Sequence, residues 1–306
     1  MLFRPLYNAP SSGTKSRYST FIKTCVLQEI LTLNTLLNGF LMSGMMLRPH
    51  NHIPGTISIP STMLCESEHA LILSIYGSMA QSNSPPPLDY FHDHIILAAQ
   101  NEDVHLLNTQ MLYLVCGNEQ SYMSADIHCF EPGAEQHQCN IPVKFLHSLN
   151  ASGLPLSHLT LKVGCLVILL HNLDSKQGLY NGMCATVIHM SYCILEVWLI
   201  GGNHDGKLAL IPRITLSPSV QGFDFPINLK RRQFPVQLAF VMTINKSQGQ
   251  SVSHVSIDLH IAAFSHGQLY VAFSHTTSPS HVSMLLPRDT VENQTANVVF
   301  PEVLIN

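Results

Sequence analysis

Apolar positions change their rhythm twice along the chain. Ile22, Val26, Ile30, Leu33, Leu37 and Leu41 recur every three or four residues, which predicts an amphipathic helix over 21–47 after a Pro-, Ser- and Gly-rich leader. A short strand is expected at Thr56-Ile57-Ser58-Ile59-Pro60 and a helix over 69–80, before a loop holding three consecutive prolines, which no helix interior accepts. His94-Ile95-Ile96-Leu97-Ala98-Ala99 is a continuous apolar run ending in Gln100-Asn101, the pattern of a buried parallel strand; a helix through Val104, Leu107 and Leu112 follows. Residues 117–141 read as polar and strandless. From 158 the rhythm becomes that of short β segments, at Leu159–Leu170, Ala185–His189, Cys193–Ile200 and Lys207–Leu216, parted by Gly178, Asn181-Gly182, Gly201-Gly202 and Asp205-Gly206. This spacing predicts a small barrel or curled sheet. Phe234–Ile244 then reads as one more buried strand, and Val255–Leu259, Gly267–Phe273 and Val282–Leu286 as a closing β/α/β unit. The order is α/β, a β-rich insert, then α/β again.

Composition narrows the class. The 306 residues include 15 Lys+Arg against 19 Asp+Glu, a formal charge of −4, so any contact with nucleic acid must rest on local patches. Hydrophobic residues make up 46%, enough for a sizeable core and too many for a disordered chain. The eight cysteines form no CxxC pair, and Met1-Leu2-Phe3-Arg4-Pro5 opens no secretory leader, which points to reduced thiols inside the cell. From Ile30 to Leu47 no charge occurs, the minimum length of a membrane span, but Asn34, Asn38, Gly39 and Gly44 interrupt it and a buried helix is the expectation.

Few stretches carry chemistry. Phe234–Gln250 joins a buried strand to a polar knot of Thr243, Asn245, Lys246, Ser247, Gln248 and Gly249. Ligands collect at the carboxyl ends of strands in open α/β sheets, and a turn there offers N–H groups, a hydroxyl and a cation to phosphate; a plain strand-to-helix connection is the alternative. Lys230-Arg231-Arg232 is a run of three basic residues just before that strand, suited to phosphate or to a solvated face. Ser12-Gly13-Thr14-Lys15-Ser16 is not a phosphate loop, because Thr14 separates Gly13 from Lys15 and no strand precedes it. His128-Cys129 and His137-Gln138-Cys139 are spaced too widely for a zinc site, and no metal site is expected.

Taken in order, several segments resemble the C-terminal half of the Pif-type 5′-to-3′ DNA helicases of superfamily 1B, especially the copies carried by Helitron transposons. Gly55–Pro60 resembles the entry to the second motor domain, and Ile96–Val104 with Leu107-Asn108 resembles motif IV. Phe145-Leu146, Gly153-Leu154-Pro155, Leu161–Gly164, Asn172–Asp174 and Gly178–Gly182 are similar to the inserted small β-barrel. Ile211–Ile214 and Lys230–Pro235 lead to Thr243–Gln250, similar to motif V, and Ser265–Ala272 resembles motif VI.

The resemblance implies an α/β fold, a RecA-like second motor domain with an inserted small β-barrel. Its segments are 1–54 (leader and helix, unassigned), 55–142 and 234–290 (the RecA-like domain), 143–233 (the insert) and 291–306 (a tail). It also implies single-stranded DNA as partner, held by Thr243, Asn245, Lys246 and Ser247 with Lys230, Arg231 and Arg232. Gln248, Gly249 and Gln268 would lie near the nucleotide, and the location would be nuclear, with no membrane role. ATP and Mg belong to the family through a phosphate loop and an acidic motif, neither of which occurs in these 306 residues; a first motor domain would have to supply them. Where the family carries an arginine finger, His275 stands, shorter and without the bidentate fork. The expected behaviour is a strand-binding half that does not hydrolyse ATP unaided, with a non-catalytic protein-interaction domain as the alternative.

Overall fold

The computed structural model describes residues 56–81, 84, 86–129, 141–150, 153–218, 228–247, 252–276, 278–288, 290 and 293–298. The leader, the 21–47 helix and the uncharged run at Ile30–Leu47 lie outside them. Strand β1 (Thr56–Ser58) precedes helix α1 (Glu68–Ala80), whose start is fixed by the Ser67 side chain accepting the Ala70 N–H. Strand β2 (His94–Ala98) is buried from Ile95 onward. Helix α2 (Asn101–Leu114) turns Val104, Leu107, Met111 and Leu112 inward, a stripe at helical spacing. Asn108 on that stripe is buried, donates to the carbonyls of Val104 and Val241, and accepts the Val241 N–H. A buried amide so fully bonded ties the helix to a strand far along the chain.

The stretch expected to be strandless, 117–141, holds two strands, β3 (Glu119–Met123) and β4 (Ala125–Cys129). Their apolar alternation is faint, and distant partners supply the pairing. Helix α3 (Val143–Ser148) leads to β5 (His158–Lys162), which pairs antiparallel with β3. The β segments then follow as β6 (Leu166–Leu169), β7 (Cys184–Met190), β8 (Ile194–Ile200), β9 (Leu208–Pro212), β10 (Ile214–Leu216) and β11 (Asn228–Gln233). Gly164, at φ 84°, parts β5 from β6, and only glycine takes that turn cheaply.

The run 234–244 is two strands, not one: β12 (Val236–Leu238) and β13 (Val241–Thr243). Ala239 and Phe240 lie between them, both buried. β12 pairs antiparallel with β6, while β13 pairs parallel with β2. One apolar run thus serves two sheets, and a continuous hydrophobic stretch cannot reveal where it changes partner. β14 (His254–Asp258), helix α4 (Gln268–Ser274), β15 (Val282–Leu285) and β16 (Gln294–Ala296) complete the chain.

Four strands form a parallel sheet in the order β13–β2–β14–β15, with α1 packed on β14, β15 and β2, and α2 on β13 and β2. Five form an antiparallel sheet in the order β12–β6–β7–β8–β9, with no ladder among the described residues joining its edges β9 and β12. A third sheet runs β10–β11–β4. The β-rich part therefore draws in β3 and β4 ahead of residue 143 and β12 beyond residue 233. One apolar core runs through the parallel and five-stranded sheets, and a smaller one, of Leu146, Leu154, Leu216 and Leu229, lies under the third. Among the described residues no helix is long and apolar enough to cross a membrane.

Candidate nucleic-acid interface

The polar knot predicted after Phe234 stands at the carboxyl end of β13, the edge strand of the parallel sheet, and ligands collect at that end of strands in open α/β sheets. Thr243 is buried, and its carbonyl accepts the N–H groups of Lys246 (2.9 Å) and Ser247 (3.3 Å), which closes a turn. Ile244, fully buried, anchors the turn, with its N–H on the Ala98 carbonyl at 3.1 Å. Asn245 and Lys246 are left facing outward. Neighbouring protein atoms still crowd the Lys246 ammonium enough to lower its pKa from the ordinary lysine value. Gln248 and Gly249 lie outside the described residues.

Ser247 does not share that exposure. Its hydroxyl is buried, donates to the Ile244 carbonyl at 2.7 Å and lies 2.8 Å from His275 Nε2. A hydroxyl has one proton, so its oxygen accepts from the imidazole, which fixes His275 in the Nε2–H form. The sequence placed Ser247 on the DNA and His275 at the finger position; the structure turns both inward, onto each other. Their bond joins the turn after β13 to the end of α4.

The basic triplet on β11 is sorted by strand alternation. Lys230 and Arg232 point outward and Arg231 points in. Arg231 is fully buried: Nε contacts both oxygens of Asp126 at 3.1 and 3.0 Å, and Nη2 contacts Oδ2 at 2.7 Å. Nη1 also donates to the Pro155 carbonyl and Nη2 to that of Leu146. This guanidinium cannot bind phosphate without breaking a buried ion pair, so Arg231 is a structural residue and the expectation of a DNA contact is corrected. Asp126 gave no sequence signal, since it sits 105 positions away in the stretch read as strandless.

Of the residues that the resemblance sets beside the nucleotide, Gln268 is the one among the described residues. Gln268 is buried; its oxygen accepts the N–H groups of Phe264 and Ser265, and its amide donates to Ala99 at 3.3 Å. It holds the approach to α4 against the end of β2. Near the same sheet edge, His260 Nδ1 lies 2.8 Å from Asp258 and Nε2 3.4 Å from Asp103. Burial lowers the His260 pKa, but the hydrogen bond and charges of these carboxylates outweigh it, and the net shift is upward. Among the described residues no set of His, Cys, Asp or Glu side chains could hold a metal ion.

Comparison with known proteins shows likenesses in sequence and fold. The sequence profile described as DNA helicase Pif1, 2B domain, matches residues 144–190. The ATP-dependent DNA helicase Pif1 of Campylobacter jejuni is 30% identical over 194 residues, covering 61% of this chain and 41% of that protein. The human ATP-dependent DNA helicase PIF1 is 29% identical over 191 residues, covering 60% of this chain and 25% of that protein. Among solved structures, Pif1 helicase from Candida albicans aligns with a TM-score of 0.51 at 22% identity, over 78% of this chain and 52% of that one. Pif1 helicase from Bacteroides in complex with ADP-AlF3 and ssDNA aligns with a TM-score of 0.50 at 22% identity, over 78% and 49%. The chain spans less than half the length of these curated relatives. Over the residues that match, it is related to the Pif1-type DNA helicases.

Proposed function

We propose that these 306 residues act as the C-terminal, second-motor-domain portion of a Pif-type 5′-to-3′ helicase and bind the backbone of single-stranded DNA. The observation that carries this reading is the turn after β13. Ile244 and Ser247 are locked in the core, and between them Asn245 and Lys246 are presented to solvent at the carboxyl edge of a parallel sheet. A cation and an amide on a rigid turn suit phosphate without reading bases. Lys230 and Arg232 on the outward side of β11 are further exposed cations suited to phosphate. The β-rich insert is read as the family's small barrel lying along the strand, within the segments 55–142, 143–233 and 234–290.

ATP and Mg would be held by a first motor domain supplied from elsewhere. Gln268 and His275 are engaged within the protein, and on this reading the 306 residues alone do not turn over ATP. The likeness to Helitron copies and the nuclear location belong to this same reading.

Titration of the purified chain with single-stranded DNA over a range of salt tests it. The expected result is an affinity that falls steeply with log salt, by a slope of roughly −0.7 per phosphate contacted. ATP hydrolysis should not be stimulated by the strand. Salt-independent binding, or stimulated turnover, overturns the reading.

A second reading, a non-catalytic protein-interaction domain, draws on one observation. Leu208 and Leu210 on the edge strand β9 are each 59% exposed, and Ile194 beside them is 42% exposed. Retention of a partner protein at high salt would favour it.

A further inference from the structure

The outward side of the β10–β11–β4 sheet carries a pattern that the motif V turn does not explain. Register puts Thr215 opposite Arg232, and Lys230 and Arg232 opposite Ile127 and Ala125. The inner side holds Leu216, Leu229 and Arg231, so the outer side presents Thr215, Lys230, Arg232, Ala125 and Ile127. Arg213, just before β10, donates from Nη1 to the Met123 carbonyl at 3.0 Å. No carboxylate among the described residues pairs with Arg213, Lys230 or Arg232.

The Arg213 guanidinium sits among three aromatic rings: Phe234 at 5.0 Å, Tyr192 at 5.1 Å and Tyr122 at 5.2 Å. Two of these are core residues, 0% and 2% exposed, and suffice to hold the arginine in place. Tyr192, in the connection between β7 and β8, is 76% exposed. One side of its ring rests on a cation while most of its surface stays in water. An exposed aromatic ring backed by a fixed guanidinium that also holds the Met123 carbonyl, together with the outward cations and exposed Ile127 of the β10–β11–β4 sheet, offers both charge and apolar surface. Single-stranded nucleic acid likewise presents both phosphates and bases, whereas a duplex hides its base faces and an acidic peptide offers nothing to the ring.

We infer that Tyr192 is a stacking platform for a base of single-stranded nucleic acid, with Arg213 stiffening the ring from beneath and Lys230 and Arg232 holding the adjoining phosphates. This rests on the strand-binding reading above and adds base contact at a second place, apart from the turn after β13.

The test uses the full chain and fluorescence anisotropy with two labelled strands of about 12 nucleotides, within the range such surfaces cover. One is oligothymidine and the other is the same backbone with abasic residues. Tyr192→Ala should weaken the thymidine strand by roughly 5- to 150-fold, the span of a base–aromatic stack, and leave the abasic strand within about twofold. Tyr192→Phe should restore binding, and Arg232→Ala should weaken both strands alike. If wild type binds but Tyr192→Ala leaves the thymidine strand unchanged, or weakens both strands equally, the stacking inference falls and the strand-binding reading stands. Equal competition by polyglutamate, with no preference for bases, also overturns it in favour of an acidic-peptide surface. A wild-type chain that binds neither strand at low salt overturns both.

Discussion

Two short polar stretches flank the same apolar run, and the fold treats them in different ways. On β11, Lys230, Arg231 and Arg232 alternate out, in, out, because a strand sends successive side chains to opposite faces. After β13, Asn245 and Lys246 both face out while Ile244 and Ser247 both go in, because a turn sorts residues by which of them anchor it. Each stretch therefore contains a residue of DNA-binding type that is structural. The difference teaches that a basic or polar run is a candidate interface only after its geometry is known. A strand removes alternate members, whereas a turn keeps adjacent ones together.

The sharpest way to break the comparison is to remove the buried member on β11. Asp126→Ala leaves the Arg231 charge uncompensated in the core and should lower the unfolding free energy by about 3–5 kcal/mol, read from urea denaturation. An Arg231→Met, Asp126→Leu double variant should recover most of that; full stability in the single variant would mean that the pair is not buried. The corresponding residue in the turn counts for less. Ser247→Ala should cost about 1–2 kcal/mol, since it removes one neutral hydrogen-bonding group and strands the His275 N–H.

Exposed members should behave in the reverse manner. Lys246→Ala should leave stability within about 0.5 kcal/mol, yet reduce the salt slope of single-strand binding by roughly 0.7, one phosphate contact. An unchanged slope would remove Lys246 from the interface. The smallest effect concerns pH. The Lys246 pKa is lowered by desolvation, so its charge, present below that pKa, fades as pH rises toward and past it, earlier than for an ordinary lysine. Wild-type affinity should therefore decline on the way to pH 10 (approximately), while Lys246→Arg holds constant because a guanidinium does not titrate there. Parallel declines in both proteins would assign the loss to another group.

The layers of the fold were legible where pattern and packing coincide. The burial of Ile95–Ala98 is written in a continuous apolar run, and the face of α2 in the spacing of Val104, Leu107 and Leu112. β3 and β4 were not legible, because Glu119–Met123 and Ala125–Cys129 become strands through partners at β5 and β11 that no local pattern announces. The same limit applies to the site. The segment that bears Lys246 could be read from the text, and the outward aim of Lys230 and Arg232 follows from strand alternation. The Asp126–Arg231 pair and the Ser247–His275 bond join residues 105 and 28 positions apart, and only the folded chain brings them together. Tyr192 lies in a turn whose local sequence carries no mark, and the Arg213 guanidinium beneath its ring comes from beyond β8 and β9.

The change of partner between β12 and β13 has a consequence for how the protein comes apart. Only Ala239 and Phe240 separate a strand of the five-stranded sheet from a strand of the parallel sheet, and Phe240 packs edge-on against Tyr76 and Phe91, both beneath the parallel layer. Neither sheet can lose its edge without dragging that short link out of the other. Heat should therefore melt the two in one cooperative step, with calorimetric and van't Hoff enthalpies in agreement, although the strand order on paper looks like two separable halves.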